Sequence, residues 1–534
     1  YYNYVLVLTE DSWALQYDNA AQGTPMSGVI SWAESYAAET DIGSYTGSVP
    51  GDPDANDGGA AAFGAGAGFW DMDWTWGSDA IPLQFAGFDV DIQEVTRGTY
   101  HVTLTPAALT EVWVDDDYSS STPGWGGTHF ASIQNAVDAI ESGTVHVAAG
   151  EYTEQVHITK DDVNIVGAGD DVVTIKSPAT LTEFFTTSSD DNYPVVFIDG
   201  ATGVDISGVA IDGDGQGNAN PRFVGLGFWN GDGSLGDATV INVMETPFSG
   251  AQHGVGIYAN NDDGGPYSVT LTDVDVEDFQ KNGVTLTGAG LTAILTRVDA
   301  VGQGHTSVTA QNGIQVSSGA EATLEDCAVA DIGYSGTGWV ACGFLFIEAG
   351  QVDMTGSCSV SNSQTSVAYR ETDGSVAGLS VNSGSIEDAE GIRVIDYGYS
   401  FTRDDMLPAP VSPFGESGPG TRGSATTVTM SDITLTGVHY GGDYGLSLWS
   451  LGDDVNVTVS GGDLTDWEYG VVAYEDGSTI AVDVGSSSIV SNDFGYWTNS
   501  ADVQGAEFNW WGDAAGPTTA KSGDGVSEKV DYSP

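Results

Sequence analysis

Two short stretches of this chain place oxygen-bearing side chains at alternate positions, a pattern typical of calcium loops. The candidate ligands are Asp52, Asp54 and Asn56 in the first stretch and Asp212, Asp214, Gln216 and Asn218 in the second. An EF-hand needs an acidic residue at its twelfth position, but Phe63 and Phe223 stand there. Neither stretch is therefore an EF-hand. Each is expected to bind Ca²⁺ only where another loop completes the shell, and the alternative is an exposed turn.

Other residue patterns are weaker or open to several interpretations. Acidic groups at 115–117, 71/73 and 262–263 are weaker calcium candidates, for which exposed turns are the simpler account. An aromatic cluster contains Trp70, Trp74 and Trp76. These three rings could stack on sugars, contact another subunit, or form the core of a small domain.

The chain has three cysteines, Cys327, Cys342 and Cys358. When Ala328-Val329 is superposed on Ser359-Val360, Cys327 and Cys358 fall at equivalent positions of two repeats. They could form a disulfide, or they could be two reduced thiols stacked in the interior. No cysteine has the spacing of a metal site.

The elements that must position these residues are short and regular. Residues 130–140 carry apolar side chains at helical spacing, Phe130, Ile133, Val137 and Ile140, and Gly143 follows. Brief apolar runs separated by Gly and Asp turns come next, beginning at Val145, Val156, Val163 and Val172. Such a pattern indicates one helix followed by many short strands.

This opening segment closely resembles the start of right-handed parallel β-helix proteins of the pectin-lyase-like superfamily. The resemblance implies an all-β solenoid in which residues 131–141 form an N-terminal capping helix. It also implies that Gly150 to Glu154, which reads GEYTE, begins the first rung.

Internal repeats support a solenoid. Alternating apolar segments begin at Val269, Leu291, Ala322, Val352, Leu379, Val428, Val455 and Ile480. Most of the steps between them are roughly 22 to 31 residues, a period expected for coils. Neighbouring coils are predicted to pair along the axis at about 4.8 Å per rung.

Three regions are predicted along the chain. Residues 1–111 form a small β-rich accessory or assembly domain, residues 112–511 the parallel β-helix, and residues 512–534 a closing segment. Insertions are expected near 212–266 and 397–424, where Gly, Pro and turn residues are frequent.

The charge balance is strongly acidic, with 12 Lys and Arg against 76 Asp and Glu and a formal net charge of −64. This excludes nucleic acid as a partner, because a phosphate backbone needs a basic face. No apolar run is long enough to span a bilayer. The chain begins at Tyr1, so we expect a secreted or cell-surface protein whose leader has been removed, or part of a longer precursor.

No catalytic residue is predicted. Polygalacturonase-like enzymes of the superfamily need an Asn-x-Asp, an Asp-Asp, a Gly-His and an Arg-x-Lys on successive coils. Asp262-Asp263 and Gly304-His305 could provide the middle two, but the first and last are missing. A lyase needs a basic residue beside calcium-binding carboxylates. Its candidates show no recognisable motif; they are Arg222, Lys281, Arg297, Arg370 and Arg393.

The sequence therefore favours a structural function. We predict a self-assembling subunit of a surface layer, sheath or extracellular filament that forms a homo-oligomer or polymer. The alternative is a calcium-dependent polysaccharide lyase, a glycoside hydrolase or a carbohydrate-binding adhesin, with a polysaccharide as partner. Ca²⁺ is the only cofactor predicted.

Overall fold

The structure is a computed structural model of the 534-residue chain. It describes residues 109–187, 190–336, 339–386, 388–396, 425–517 and 524–532, together with the backbone of six strands between residues 3 and 106. The chain divides into two compact units, Tyr1–Leu109 and Thr110–Pro534. Within the described residues, no helix combines the length and apolar character needed to cross a membrane.

The first unit contains antiparallel strands only, among those described. Strands β1 (Asn3–Leu8) and β2 (Trp13–Asp18) form one pair. A second sheet has the order β3-β6-β5-β4. Its strands are β3 (Met26–Ser31), β4 (Gln84–Phe85), β5 (Phe88–Thr96) and β6 (Thr99–Pro106).

The second unit begins with one helix among short strands. Its first elements are β7 (Glu111–Val114), β8 (His129–Phe130), helix α1 (Ile133–Ala139), β9 (Gly143–Val147), β10 (Gly150–Thr153) and β11 (Val156–Ile158). The next coils contain β12 (Val163–Gly167), β13 (Val173–Lys176), β14 (Phe185–Thr187), β15 (Asp190–Asp199), β16 (Val204–Ser207), β17 (Ala210–Asp212) and β18 (Phe223–Trp229).

The middle coils have longer strands. They contain β19 (Gly233–Ile241), β20 (Val255–Asn260), β21 (Tyr267–Glu277), β22 (Asn282–Thr287), β23 (Leu291–Thr306), β24 (Asn312–Ser317), β25 (Glu321–Glu325), β26 (Ala328–Tyr334), β27 (Cys342–Ile347), β28 (Gln351–Thr355), β29 (Ser359–Ser361) and β30 (Thr365–Arg370).

The last coils keep the same order of strands. They contain β31 (Asp373–Ala377), β32 (Ser380–Asn382), β33 (Glu390–Ile395), β34 (Thr426–Ser431), β35 (Thr434–Thr436), β36 (Tyr444–Ser450), β37 (Val455–Ser460), β38 (Asp463–Thr465), β39 (Tyr469–Glu475), β40 (Ile480–Gly485), β41 (Ser488–Val490), β42 (Phe494–Thr498), β43 (Gln504–Gly505), β44 (Gly525–Val526) and β45 (Val530–Asp531).

These strands wind into a parallel β-helix with three faces. Face 1 contains the first strand of each coil, such as β25, β28 and β31, and face 2 the next, such as β26, β29 and β32. Both belong to one 25-stranded sheet. Face 3 is a 14-stranded sheet that runs from β11 through β18, β30 and β39 to β44. Crossovers between parallel strands of one sheet are almost always right-handed, so these strands form the right-handed parallel β-helix that the sequence predicted.

The core follows from strand alternation in register. Each coil aims alternate apolar side chains inward, and the parallel pairing stacks them in columns. One column of face 1 consists of Val145, Ile165, Ile206, Leu235, Leu271, Leu295, Leu324, Met354, Val376, Met430, Val459 and Val484, all buried.

Helix α1 confirms the predicted cap. Its buried face consists of Ile133, Ala136 and Val137. Glu154, from the segment just after β10, accepts hydrogen bonds from the N–H groups of Ile133 and Gln134, each at 2.8 Å. A carboxylate at a helix N-terminus satisfies donors that have no partner inside the helix. The rung after the helix therefore holds the helix in place.

The prediction of an insertion at 212–266 is wrong for most of that segment. Strands β18, β19 and β20 lie inside it and pair in register with neighbouring coils, for example Val224 with Val255. Glycines in this segment occur where coils pack closely as well as in loops. A Cβ on Gly233 would lie 1.8 Å from the Val204 carbonyl oxygen. The insertion predicted at 397–424 lies outside the described residues.

Candidate functional site

The outer surface of face 3 carries the polar, charged and aromatic side chains that form the candidate site. Three columns of outward side chains run along it. The first is Pro194, Val224, Val255, Asn282, Asn312, Cys342, Thr365, Glu390, Tyr444, Tyr469 and Phe494. The second includes Tyr258, Thr285, Gln315, Leu345, Ala368, Arg393, Ser447, Val472 and Trp497, and the third includes Ser317, Ile347, Arg370, Ile395, Trp449 and Tyr474.

A glycine after the first column creates this arrangement. Gly313 aims its missing Cβ inward, where it would lie 2.6 Å from the Gly343 oxygen and 2.5 Å from Val329 Cγ1. Gly283 occupies the equivalent position of the preceding coil, between Asn282 and Thr285, and Asn282 Nδ2 donates a hydrogen bond to Thr285 Oγ1 at 2.8 Å. Glycine at this corner lets successive coils approach closely.

The last coils of face 3 carry an acidic-aromatic ladder. In each rung an acidic residue directly precedes a strand, and an aromatic residue and a glycine begin that strand. The rungs are Asp443-Tyr444-Gly445 at β36, Glu468-Tyr469-Gly470 at β39 and Asp493-Phe494-Gly495 at β42. Asp443 and Glu468 are 25 residues apart. The same acidic, aromatic and glycine residues thus recur on three successive coils.

The rings of the ladder stack along the axis. Tyr444 and Tyr469 have ring centroids 5.5 Å apart, and Tyr469 and Phe494 have centroids 5.0 Å apart with only 9° between their planes. Phe494 is 41% exposed. In the third column, Trp449 and Tyr474 lie 4.8 Å apart in a tilted contact. Two aromatic rows therefore flank Ser447, Val472 and Trp497 on one surface.

The carboxylates of the ladder differ in their surroundings. Buried Asp443 accepts the backbone N–H groups of Glu468 at 2.5 Å and Tyr440 at 3.2 Å. Glu468 is partly exposed and accepts the N–H of Gly442. The side chain of Asp493 is 62% exposed and lies 3.3 Å from His439 Nε2. Asp443 thus supports the loop before β36, whereas Glu468 and Asp493 face solvent.

Burial shifts the titration of groups at the base of the ladder. It raises the pKa of Asp443, although three backbone N–H groups oppose the shift. It also raises the pKa of Tyr444 to about 12, with Glu390 and Glu468 adding to the effect. Desolvation disfavours the charged form of an acid. Asp443 supports the site because its two oxygens accept backbone N–H groups.

A buried polar centre continues the same columns toward the N-terminus. Arg393, 3% exposed, forms an ion pair with Glu390, which also accepts a hydrogen bond from Thr365 Oγ1 at 3.2 Å. Arg393 Nε and Nη1 have no acceptor among the described residues. The neighbouring Cys342 lies within the electrostatic field of Arg370 and Lys281.

Lys281 is the most deeply buried cation of the polar centre. Its ammonium group donates to the Ala310 carbonyl oxygen, and burial lowers its pKa to about 8. Burial, with Glu348 next in effect, raises the pKa of Glu371 on the neighbouring corner to about 7. Three of the chain's 12 basic residues therefore lie close together on this face, although the sequence shows no motif for them.

The calcium candidates are placed as follows. Asp52, Asp54 and Asn56, like Trp70, Trp74 and Trp76, lie outside the described residues. In the second stretch, Asp212 Oδ1 accepts hydrogen bonds from Asn242 Nδ2 and from the N–H of Asp214, both at 2.8 Å.

The rest of the second stretch also binds protein groups. Asp214 Oδ1 lies 3.4 Å from Lys176 Nζ, and its Oδ2 accepts from Gln216 Nε2 at 3.0 Å. Asn218 Oδ1 accepts the N–H of Thr246 at 2.8 Å. Calcium binding there has to displace an ammonium group and stays a prediction.

The weaker acidic groups are also separate from the ladder. The carboxylates of Asp115, Asp116 and Asp117 offer oxygens within 4.8 Å of one another near the capping helix, mostly exposed. Asp262 accepts from Asn230, and Asp263 from Tyr267 and Gly265. Asp71 and Asp73 lie outside the described residues.

Sequence reasoning missed the ladder and the polar centre. The signal for the ladder is an acidic residue, an aromatic residue and a glycine that recur at one-coil spacing. For the polar centre, the signal would have been one basic residue in each of the neighbouring strands β30 and β33, Arg370 and Arg393, although they pair with Ile395 and Ala368 and not with each other.

Comparisons with known proteins found distant structural likenesses and no sequence match. No family model matches this chain, and no curated protein matches it. The solved structure of the Agl-KA catalytic domain is similar at 11% identity and a TM-score of 0.44, covering 82% of this chain and 72% of its own. A GH87 α-1,3-glucanase catalytic domain gives 10% identity and a TM-score of 0.33, covering 72% and 70%.

A third structure is similar over a comparable length. Pectin methylesterase PemA from Erwinia chrysanthemi gives 12% identity and a TM-score of 0.25, covering 64% of this chain and 82% of its own. At such identities a likeness concerns the path of the backbone and transfers no activity.

Proposed function

We propose that this protein is a carbohydrate-active enzyme that binds a polysaccharide across the acidic-aromatic ladder and cleaves its glycosidic bonds. Glu468 and Asp493 are the proposed catalytic carboxylates. The observation that carries the proposal is the recurrence of a carboxylate beside a stacked, partly exposed aromatic ring on successive coils.

The spacing of the coils suits this chemistry. Equivalent positions of adjacent coils are about 4.8 Å apart. Retaining glycosidases use two carboxyl groups about 5–5.5 Å apart, one as acid and base and the other as nucleophile. Glu468 and Asp493 directly precede β39 and β42, each one residue before the paired Tyr469 and Phe494. Both are exposed enough to reach a bound chain.

Aromatic side chains provide the binding surface. Tyr444, Tyr469 and Phe494 form one row and Trp449 and Tyr474 another. Amphipathic rings of this kind supply a large apolar contact with a polar edge, and binding sites combine such contacts with a few polar groups. An elongated substrate that spans several coils fits this surface better than a small ligand does.

Charge favours a neutral polysaccharide. The whole chain carries a formal net charge of −64, and the ladder itself presents Glu468 and Asp493. An anionic sugar chain would be repelled unless cations bridge the two surfaces. We therefore expect neutral glucans or mannans to bind more tightly than polygalacturonate at low ionic strength.

The test measures binding and the release of reducing ends with a panel of neutral glucans and mannans, with polygalacturonate as the acidic comparison. Glu468→Gln and Asp493→Asn should each lower cleavage about a hundredfold or more. Asp463→Asn is the matched control, because Asp463 is exposed on face 2 of the same coil as Glu468. It should leave cleavage unchanged.

Aromatic variants separate binding from catalysis. Tyr469→Ala should weaken binding, whereas Phe508→Ala, at a ring that is 69% exposed away from the ladder, should not. Binding that is lost in Tyr469→Ala without any cleavage by the unaltered chain would make the protein an adhesin. Equal activity of the unaltered chain and both carboxylate variants would refute the catalytic assignment.

Self-association as a surface layer, sheath or filament stays a prediction, as do secretion and a calcium requirement. It differs from the enzyme proposal in one measurable respect. An assembling subunit should scatter light or form particles visible by electron microscopy at micromolar concentration in a series of Ca²⁺ and salt concentrations. An enzyme of the proposed kind should turn over its substrate as a dispersed chain.

A further inference from the structure

Cys327 and Cys358 lie directly above one another in the interior. Ala328 pairs with Ser359 in the parallel register of β26 and β29, so the two preceding cysteines occupy equivalent positions of neighbouring coils. The N–H of Ser359 donates to the Cys327 carbonyl oxygen at 2.9 Å. Both side chains are completely buried.

The two thiols are close enough to interact. A hydrogen bond with Cys358, followed in effect by burial, raises the pKa of the Cys327 thiol. Their other neighbours are backbone carbonyls: Cys327 Sγ lies 3.5 Å from the Glu325 oxygen and Cys358 Sγ 3.4 Å from the Thr355 oxygen.

Packing alone does not require cysteine at these positions. The same inward column holds Val274 and Val298 on the preceding coils and Leu379 and Ile433 on the following ones, all buried. Aliphatic side chains therefore fill the column elsewhere. The chain has only three cysteines, and two of them are adjacent in this one column.

We propose that Cys327 and Cys358 form an intrachain disulfide that ties two coils together when the chain folds under oxidising conditions. The rung spacing of about 4.8 Å lies within the Cα separations that disulfides span. Cys342 has no such partner, because Asn312 and Thr365 occupy the equivalent positions of its neighbouring coils.

A small disulfide such as oxidised glutathione supplies the oxidising equivalents. One cysteine thiolate attacks the glutathione disulfide, forming a mixed disulfide and releasing one glutathione thiol. The second cysteine then attacks the mixed disulfide, forms the Sγ–Sγ bond and releases the second glutathione thiol. Two protons leave the cysteines, and the two electrons reduce the glutathione disulfide.

Burial determines when the reaction occurs. A reagent cannot reach two completely buried sulfurs in the folded coil. The bond is therefore expected to form during folding, before the neighbouring coils close around it. Once formed, it should resist reductants until the chain unfolds.

The test is refolding of the denatured, reduced chain in a buffer of reduced and oxidised glutathione. Free thiols are alkylated after denaturation, and the chain is digested with a protease that cleaves after acidic residues, since no Lys or Arg lies between Cys327 and Cys358. Mass spectrometry should find the two cysteine peptides joined, with a mass lower by two hydrogen atoms, and Cys342 alkylated.

Variants check the assignment. Cys342→Ser should keep the bridge, and Cys358→Val should lose it and leave two alkylated thiols. The double variant Cys327→Val, Cys358→Val matches the aliphatic column and should melt at the same temperature with and without reductant, whereas the bridged chain should melt lower with reductant. Three alkylated thiols in correctly refolded chain, or a bridge to Cys342, would overturn the proposal.

Discussion

Asp443 accepts the backbone N–H of Glu468 at 2.5 Å, so one rung of the acidic-aromatic ladder fixes the position of the next. Asp443 is fully buried, and its second oxygen accepts the N–H of Tyr440. The residue therefore supports Glu468 without itself facing a substrate.

Asp443→Ala should destabilise the chain by about 1–3 kcal/mol, because it leaves buried N–H groups without an acceptor. Asp443→Asn keeps one acceptor oxygen and removes a buried charge, so its loss should be smaller. Denaturant unfolding at neutral pH measures both. Equal losses in the two variants would show that the accepted hydrogen bonds do not support the rung.

The glycine of the face-3 corner gives a second prediction. Gly313→Ala places a Cβ 2.6 Å from the Gly343 oxygen and should cost about 1–3 kcal/mol through overpacking. Gly236→Ala is the matched control, since the nearest atom to its added Cβ is 3.5 Å away. Thermal melts should separate the two variants clearly. A control that melts as low as Gly313→Ala would point to backbone entropy instead of close packing.

Much of this fold could be predicted because apolar side chains repeat along the chain. The column from Val145 to Val484 and the face of α1 both follow from spacing alone. The segment 212–266 was misjudged because Gly233 is a residue of close coil packing, which a single sequence does not distinguish from a turn.

The site was harder to predict than the fold. Asp443, Glu468 and Asp493 look like isolated acidic residues until the coils stack them. Arg393 and Glu390 stand out because they are buried on face 3, and their burial cannot be read from the local sequence. The parallel register of the coils brings these groups together, and no sequence motif marks them.

The buried pair of Glu390 and Arg393 gives a third prediction. Glu390→Gln leaves the guanidinium of Arg393 without its anion and should cost about 3–5 kcal/mol. The double variant Glu390→Leu, Arg393→Met removes both charges and should recover much of that loss. Denaturant midpoints of the single and double variants measure the coupling. A double variant less stable than Glu390→Gln would mean that the pair itself contributes net stability.

Calcium gives a fourth prediction. If the loops at 52–56 and 212–218 bind Ca²⁺, the ion should raise the melting temperature, with about 2.7 kcal/mol of stabilisation at a hundredfold excess over the Kd. Asp54→Asn and Asp214→Asn should each reduce the shift. Lys176→Met should enlarge it, because the ammonium group no longer competes for Asp214. Melting curves that do not respond to calcium or to a chelator would exclude both loops.

Lys281 gives the last prediction, a dependence of stability on pH. Burial lowers its pKa from 10.5 to about 8 in the folded chain. Between these values the unfolded chain binds more protons than the folded chain, so the free energy of unfolding should rise with pH. The full effect is about 3 kcal/mol at one pKa unit per 1.36 kcal/mol. Below pH 8 the full free-energy cost of burying the charged Lys281 side chain is present.

Lys281→Met removes this penalty but also the hydrogen bond to Ala310, which is worth about 1 kcal/mol. The variant should therefore be more stable than the unaltered chain by about 2 kcal/mol at neutral pH, and the difference should shrink above pH 8. Lys529→Met, at an exposed position, is the matched control. Denaturant unfolding from pH 7 to 10 measures the difference, and a gap that does not change with pH would mean that Lys281 keeps its proton in the folded chain throughout.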